Sequence, residues 1–132
     1  MEEILVKLLP NVEGLVGLEL YKTCSYWRMY KKGDVLRIHK DRQACEISVT
    51  MTIGYDGSRP WLIYALNKNE EPIKIELNSG DTLIYNGINR FHWRAINNLG
   101  MQAQVFLHYV DKNGVYSDWK DDKRKKIMKV NY

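Results

Sequence analysis

Two of the three histidines in this 132-residue chain sit where a cation could be held. His39 is followed two positions later by Asp41, and residues i and i+2 of a strand face the same side, so imidazole and carboxylate would converge on one point. His92 opens a second β-rich run further along. Two imidazoles and one carboxylate form the donor set that non-haem Fe(II) takes, which leaves three octahedral positions for a bidentate ligand and O2. A dication with one aspartate keeps a charge of about +1 and so favours an anionic chelator. Taken alone, H-x-D equally describes a hydrogen-bonded pair on a strand edge. The order of the motifs adds weight: the pair ends an apolar strand, and the second histidine follows several more strands. His108 lies in the apolar run Val105 to Val110 and reads as a core or pocket residue rather than a third imidazole ligand.

These side chains need a scaffold, and the chain is rich in short β runs. In Cys45 to Ile53, Ile47, Val49, Met51 and Ile53 alternate with Glu46, Ser48, Thr50 and Thr52, the pattern of a half-buried strand. Tyr21 to Tyr30, Val35 to His39, Trp61 to Leu66, Ile73 to Leu77, Thr82 to Tyr85, His92 to Ile96 and Gln102 to Val110 read similarly. Asp56-Gly57, Ser79-Gly80, Asn86-Gly87 and Asn113-Gly114 supply turns with positive φ. About eight strands without a long amphipathic helix predict an all-β sandwich or barrel with short helical segments at its ends. Glu2 to Leu9 would form two helical turns stopped by Pro10. The charged stretch from Trp119 to Lys129 reads as a surface helix or a loose tail.

Composition agrees with one domain spanning 1–132. The chain is 45% hydrophobic and 27% charged, which excludes a disordered protein, and its length leaves no room for a second core. No apolar run suits a membrane span, and Met1-Glu2-Glu3 is not a basic leader. Cys24 and Cys45 are too few for a disulfide framework, so reduced thiols and a cytoplasmic location are expected. The net charge of +4 arises largely in the tail, where interspersed aspartates argue against a nucleic-acid partner.

The stretch Tyr30-Lys31-Lys32-Gly33-Asp34-Val35-Leu36-Arg37-Ile38-His39-Lys40-Asp41 resembles the Y-x-x-G…H-x-D segment of the prolyl 4-hydroxylase-like branch of the Fe(II)/2-oxoglutarate dioxygenases. Leu77-Asn78-Ser79-Gly80-Asp81-Thr82-Leu83-Ile84-Tyr85 is similar to that family's turn and strand before the distal histidine. His92-Trp93-Arg94 and Gln104 to Val110 then take the places of its last core strands. The resemblance covers about residues 20–112, and order and spacing carry it more than any single block. It implies a minimal double-stranded β-helix (a jelly-roll, cupin-like barrel), with a charged tail over 115–132. It also implies iron held by His39, Asp41 and His92, 2-oxoglutarate and O2 as cosubstrates, ascorbate as an accessory reductant, and a small-molecule or peptide substrate that is hydroxylated.

One departure stands out. The family places a Lys or Arg some ten to fifteen residues after the distal histidine, where this chain has Gln102, Ala103, Gln104, Val105, Phe106 and Leu107. The nearest substitute is Arg94, on the inward face with His92 if that strand continues, and a guanidinium fork suits a carboxylate. Tyr30 would add a hydroxyl, Gln104 and His108 would line the floor, and Trp61 and Trp93 would pack near the metal cavity or form a substrate platform.

Two further readings stay open at this point. A cupin-type metalloprotein without 2-oxoglutarate would use Glu46 as a fourth ligand. A metal-free binding barrel would leave the histidines structural. Edge strands of so small a sandwich are also free to pair in a homodimer.

Overall fold

The computed structural model describes residues 1–124. A helix, α1 (Glu2–Val16), precedes eight strands: β1 (Leu20–Tyr30), β2 (Leu36–His39), β3 (Ile47–Tyr55), β4 (Ile63–Leu66), β5 (Pro72–Ile75), β6 (Thr82–Asn86), β7 (His92–Arg94) and β8 (Gln102–Asp111). Short 3-10 turns cover Gln43–Cys45 and Ser117–Lys123. The strands form two four-stranded antiparallel sheets, ordered β1-β8-β3-β6 and β2-β7-β4-β5, facing each other as a double-stranded β-helix. No helix among the described residues is long and apolar enough to cross a membrane.

The larger sheet is covered on both sides, which the simple alternation of β3 did not convey. Val49, Val105, Leu107 and Tyr109 face outward and are buried beneath Leu5 and Val12 of α1, with Leu8, Leu9 and Val16 alongside. The opposite face carries Ser48, Thr50 and Thr52 of β3 with Gln102, Gln104 and His108 of β8, all of them buried. The polar side of β3 therefore lies inside the protein, between the sheets, and its apolar side supports the helix. Tyr30, Trp61 and Phe106 form a smaller aromatic cluster between the sheets.

The expectation that Pro10 stops the first helix is corrected: α1 continues through Pro10 to Val16. Pro10 removes one N–H from the ladder, but Leu5, Leu8, Leu9, Val12 and Val16 share one face, and burying that face outweighs the lost bond. Gly17, at φ 72°, ends the helix in the left-handed conformation and donates its N–H to Glu13 O at 2.9 Å. The Glu13 carboxylate accepts the Leu20 N–H, and the Tyr109 hydroxyl donates to Leu5 O, tying helix to sheet.

β7 ends at Arg94 instead of reaching Ile96 because buried Asn97 redirects the chain. Its amide donates to Lys31 O and Gly100 O and accepts from the Leu99 N–H, so the side chain replaces ladder bonds and clamps the β1–β2 loop to the β7–β8 loop. At the C-terminal end, Asp121 pairs with Lys22 and Asp122 pairs with Arg42. The 3-10 segment is thus pinned to the larger sheet rather than forming a fully solvated face. The remainder of the expected tail, 125–132, lies outside the described residues.

Candidate metal centre

The smaller sheet sets the two histidines opposite each other. His39, the last residue of β2, pairs with His92, the first of β7, and their ring centroids are 4.3 Å apart. Between this pair and Leu36–Arg94 the register shifts, a bulge of the sort that re-aims side chains beside a site. Asp41 does not extend the strand as the i, i+2 argument supposed; β2 ends at His39. Asp41 is held instead by its backbone, whose N–H donates to Gly87 O at 2.8 Å across the turn after β6. Convergence is achieved by that loop: Asp41 Oδ1 lies 3.3 Å from His39 Nε2 and 3.2 Å from His92 Nε2.

The two imidazoles are oriented for metal binding. His39 Nδ1 lies 2.7 Å from Arg37 O and His92 Nδ1 lies 2.9 Å from Arg90 O. A carbonyl only accepts, so each Nδ1 carries a proton, and Nε2 is the nitrogen that faces Asp41 Oδ1. Each Nε2 can thus give its lone pair to a cation lying beside Oδ1, and an Nδ1–H held by a carbonyl is the usual outer-shell arrangement of a metal-bound histidine. The ligand atoms of His39, Asp41 and His92 all lie within 4.8 Å of one another, so the residues fit a divalent ion of the facial-triad type. Burial works to raise the Asp41 carboxyl, but the hydrogen bond and charge of His92, with the Ser48 hydroxyl, outweigh it and hold the group below the usual carboxylate range. Asp41 is therefore an anion at neutral pH.

Gly87 makes room for this arrangement. A Cβ there would overlap Asp41 Oδ2 and stand 2.5 Å from Cys45 O and 2.6 Å from Ser48 Oγ. Its φ is not positive, so close approach explains the glycine, whereas Gly80, at φ 89°, meets the expected turn requirement. Ser48 Oγ lies 3.0 Å from Asp41 Oδ2 and orients the carboxylate.

The triad opens onto a cavity of about 190 Å³, also lined by Tyr26, Arg28, Tyr30, Tyr85, Arg94 and His108. Arg94 is 2% exposed; one guanidinium nitrogen, Nη1, donates to Trp61 O, while Nη2 has no partner among the described residues. Burial lowers Arg94 to about 10, the guanidinium nonetheless stays charged, and it makes no salt bridge among the described residues. An uncompensated buried cation at the wall of a cavity is a site for an anion. Alternation places Arg94 on the same side of β7 as His92, and Tyr30 joins them from β1 with its phenol raised by burial.

Other expected site residues are placed differently. Trp93 points away from His92 and Arg94 and stacks on Tyr64 at 5.6 Å, so it does not line the cavity. Trp61 stands behind the cavity wall, against Tyr30 and Arg94, whose guanidinium lies 5.1 Å from its ring; its indole N–H donates to Ala95 O and it borders a separate pocket. Gln104 shares the inward face, but its amide donates to Thr50 Oγ1 and it does not line the cavity. Glu46 accepts the Asp111 N–H, away from the triad, so the carboxylate that the cupin reading requires is engaged elsewhere. Tyr85, whose ring meets His92 edge-on at 4.8 Å, escaped the sequence reading, as did Ser48 and Gly87. For Ser48 the available signal was its place on the polar face of β3.

No protein-family profile and no curated protein sequence matches the chain. Solved structures do. An oxidoreductase of the 2OG-Fe(II) oxygenase family from Burkholderia pseudomallei superposes with a TM-score of 0.68 at 18% identity, over 86% of this chain and 59% of that one. The non-heme monooxygenase ThoJ, solved as a nickel complex, gives 0.62 at 13% identity over 80% and 50%. A prolyl-4-hydroxylase from Pseudomonas putida gives 0.59 at 13% identity over 77% and 59%. The chain thus shares the double-stranded β-helix fold of these oxygenases and spans between 50% and 59% of their length.

Proposed function

We propose that this protein is an Fe(II)- and 2-oxoglutarate-dependent dioxygenase that hydroxylates a free or peptidyl amino-acid side chain. His39, Asp41 and His92 hold the metal, and Arg94, assisted by Tyr30, receives the far carboxylate of the cosubstrate. The observation that carries this reading is the presence, in one cavity, of a triad with converging donor atoms and a buried guanidinium without an acid partner among the described residues. The bound metal and keto acid supply dioxygen activation and the oxidation itself. The chain supplies position and charge. A dication with Asp41 keeps about +1 and Arg94 adds another, which together match a dianionic cosubstrate. Tyr85 packs against His92, and Phe106 and Ile63 exclude water from the cavity wall.

The test is anaerobic titration of 2-oxoglutarate into the Fe(II)-loaded protein, read by the visible charge-transfer band of the chelate. The band appears for the wild type. Arg94→Met weakens cosubstrate binding about ten- to hundredfold, as expected for loss of a charge-assisted contact of about 1.5–3 kcal/mol. Pyruvate, which lacks the far carboxylate, binds both proteins alike. Absence of a band at millimolar 2-oxoglutarate refutes the proposal.

A further inference from the structure

The inward face of the larger sheet carries a second set of donor atoms that the proposed chemistry does not use. Cys24 of β1 and His108 of β8 are register partners, as are His108 and Ser48 of β3, so their side chains stand in one row. Cys45, at the end of the first 3-10 turn, closes over that row. The sulfur atoms of Cys24 and Cys45 and a ring nitrogen of His108 all lie within 4.8 Å of one another, and both cysteines are free thiols.

His108 points to a ligand on its own account. It is 2% exposed, and its Nε2 is buried with no hydrogen-bond partner among the described residues. Its Nδ1 lies 3.0 Å from Ser48 Oγ. That hydroxyl has one proton, and the Asp41 carboxylate and the Cys45 carbonyl, both 3.0 Å away, can only accept it. Ser48 must then accept from His108 Nδ1–H, which leaves Nε2 as the lone-pair nitrogen. A buried imidazole with an unpaired nitrogen, grouped with two sulfurs, has a physical explanation if all three residues serve one ion.

We propose that Cys24, Cys45 and His108 form a second metal site, distinct from the triad, for a thiophilic cation of the zinc class. Two thiolates and one imidazole are a soft donor set that favours zinc over the oxygen-preferring cations, with a fourth tetrahedral position left for water. Charge balances: two thiolates neutralise a dication, and Arg42, whose Nη2 lies 3.5 Å from Cys24 Sγ, is already neutralised by the bidentate Asp122 carboxylate at 2.6 and 2.9 Å. Cys24 is the sulfur readiest to ionise. Its hydrogen bond with Cys45 brings the thiol to about 7, against the opposing effect of burial and with help from Arg42, while the same hydrogen bond and burial push the Cys45 thiol up, so Cys45 gives up its proton only as the ion binds. Cys24 is also half-buried rather than enclosed, which gives an ion access from the surface. Ser48 connects the two sites, since one hydroxyl contacts both Asp41 and His108.

Cadmium, a thiophilic stand-in for zinc, tests the site without dependence on the triad. The fully reduced full-length protein carrying His39→Ala, which disables the triad, is titrated with cadmium and followed by the ultraviolet sulfur-to-cadmium charge-transfer band. One equivalent of cadmium is expected to develop the band. Adding Cys24→Ser removes it, and so does His108→Gln, with circular dichroism confirming that the variants are folded. Cys24→Ser in the otherwise wild-type chain leaves manganese binding at the triad unchanged. No band in the reduced protein overturns the proposal, as does a band that survives Cys24→Ser undiminished. Because Cys24 is only half-buried, that variant decides the matter even if His108→Gln fails to fold.

Discussion

Replacing Gly87 by alanine tests whether close packing in the turn after β6 sets the position of Asp41. Ordinary contact for a Cβ begins near 3.4 Å, whereas the added atom would stand 2.5 Å from Cys45 O and 2.6 Å from Ser48 Oγ. Either the turn must therefore retreat by about 0.8–0.9 Å, or Cys45 O and Ser48 Oγ must give way by that much and the overlapped Asp41 carboxylate by more, far beyond the roughly 0.2 Å tolerance of a metal–ligand distance. If the turn moves, it strains the Asp41 N–H bond to Gly87 O and the Gly87 N–H bond to Glu46 O. Overpacking of this kind costs about 1–3 kcal/mol, a fall in Tm of about 3–9 °C for a chain of this size. The sharper consequence is at the triad, where manganese affinity, measured by electron paramagnetic resonance titration, should fall at least about tenfold. Gly80→Ala is the control. It is strained by its φ of 89° but has open space around its Cβ, so it should lose stability without losing metal. A folded Gly87→Ala protein that binds manganese like the wild type refutes the packing argument.

Leu5→Ala removes a fully buried side chain beneath the outer face of the larger sheet and should cost about 2–5 kcal/mol in urea unfolding, with metal affinity at the triad unchanged. Pro10→Ala restores a helix donor inside α1 and should stabilise the protein by about 1–2 kcal/mol; a loss of stability would show that the proline fits the helix without penalty. His108 links stability to pH in metal-free protein. Burial holds its imidazole at about 4, against 6.5 in the open chain, so the unfolded chain takes up a proton first as the pH falls. The stability attached to the neutral ring is whole above about pH 6.5 and is lost by about 3 kcal/mol on the way down to pH 4. Urea unfolding across that range, with His108→Gln abolishing this part of the slope, checks the sign and size.

Local sequence signals were strongest where one residue type decides the outcome. Alternation in β3 and the aromatic run of β1 marked strands, and the order of His39, Asp41 and His92 named three side chains that do meet. Contacts between distant segments were less legible. Pro10 suggested an end to α1 because its local penalty is visible in the sequence, whereas the sheet surface that compensates for it is not. Asp41 was assigned to a strand because spacing alone does not reveal that Gly87, on another element, holds its backbone. Alternation in β3 did not say which way Ser48, Thr50 and Thr52 face; they are buried between the sheets. Trp93 was drawn toward the site by its neighbours, although the same alternation that turns His92 and Arg94 inward turns the residue between them away.

Each long strand of the larger sheet carries the burden of folding on one surface and the chemistry on the other. Substitutions among Tyr26, Phe106 and their inward-facing neighbours can thus reshape what the cavity accepts while Val49, Leu107 and Tyr109 keep their grip on the helix. Such a strand can diverge toward new ligands by changing every second residue, without first acquiring a reserve of stability.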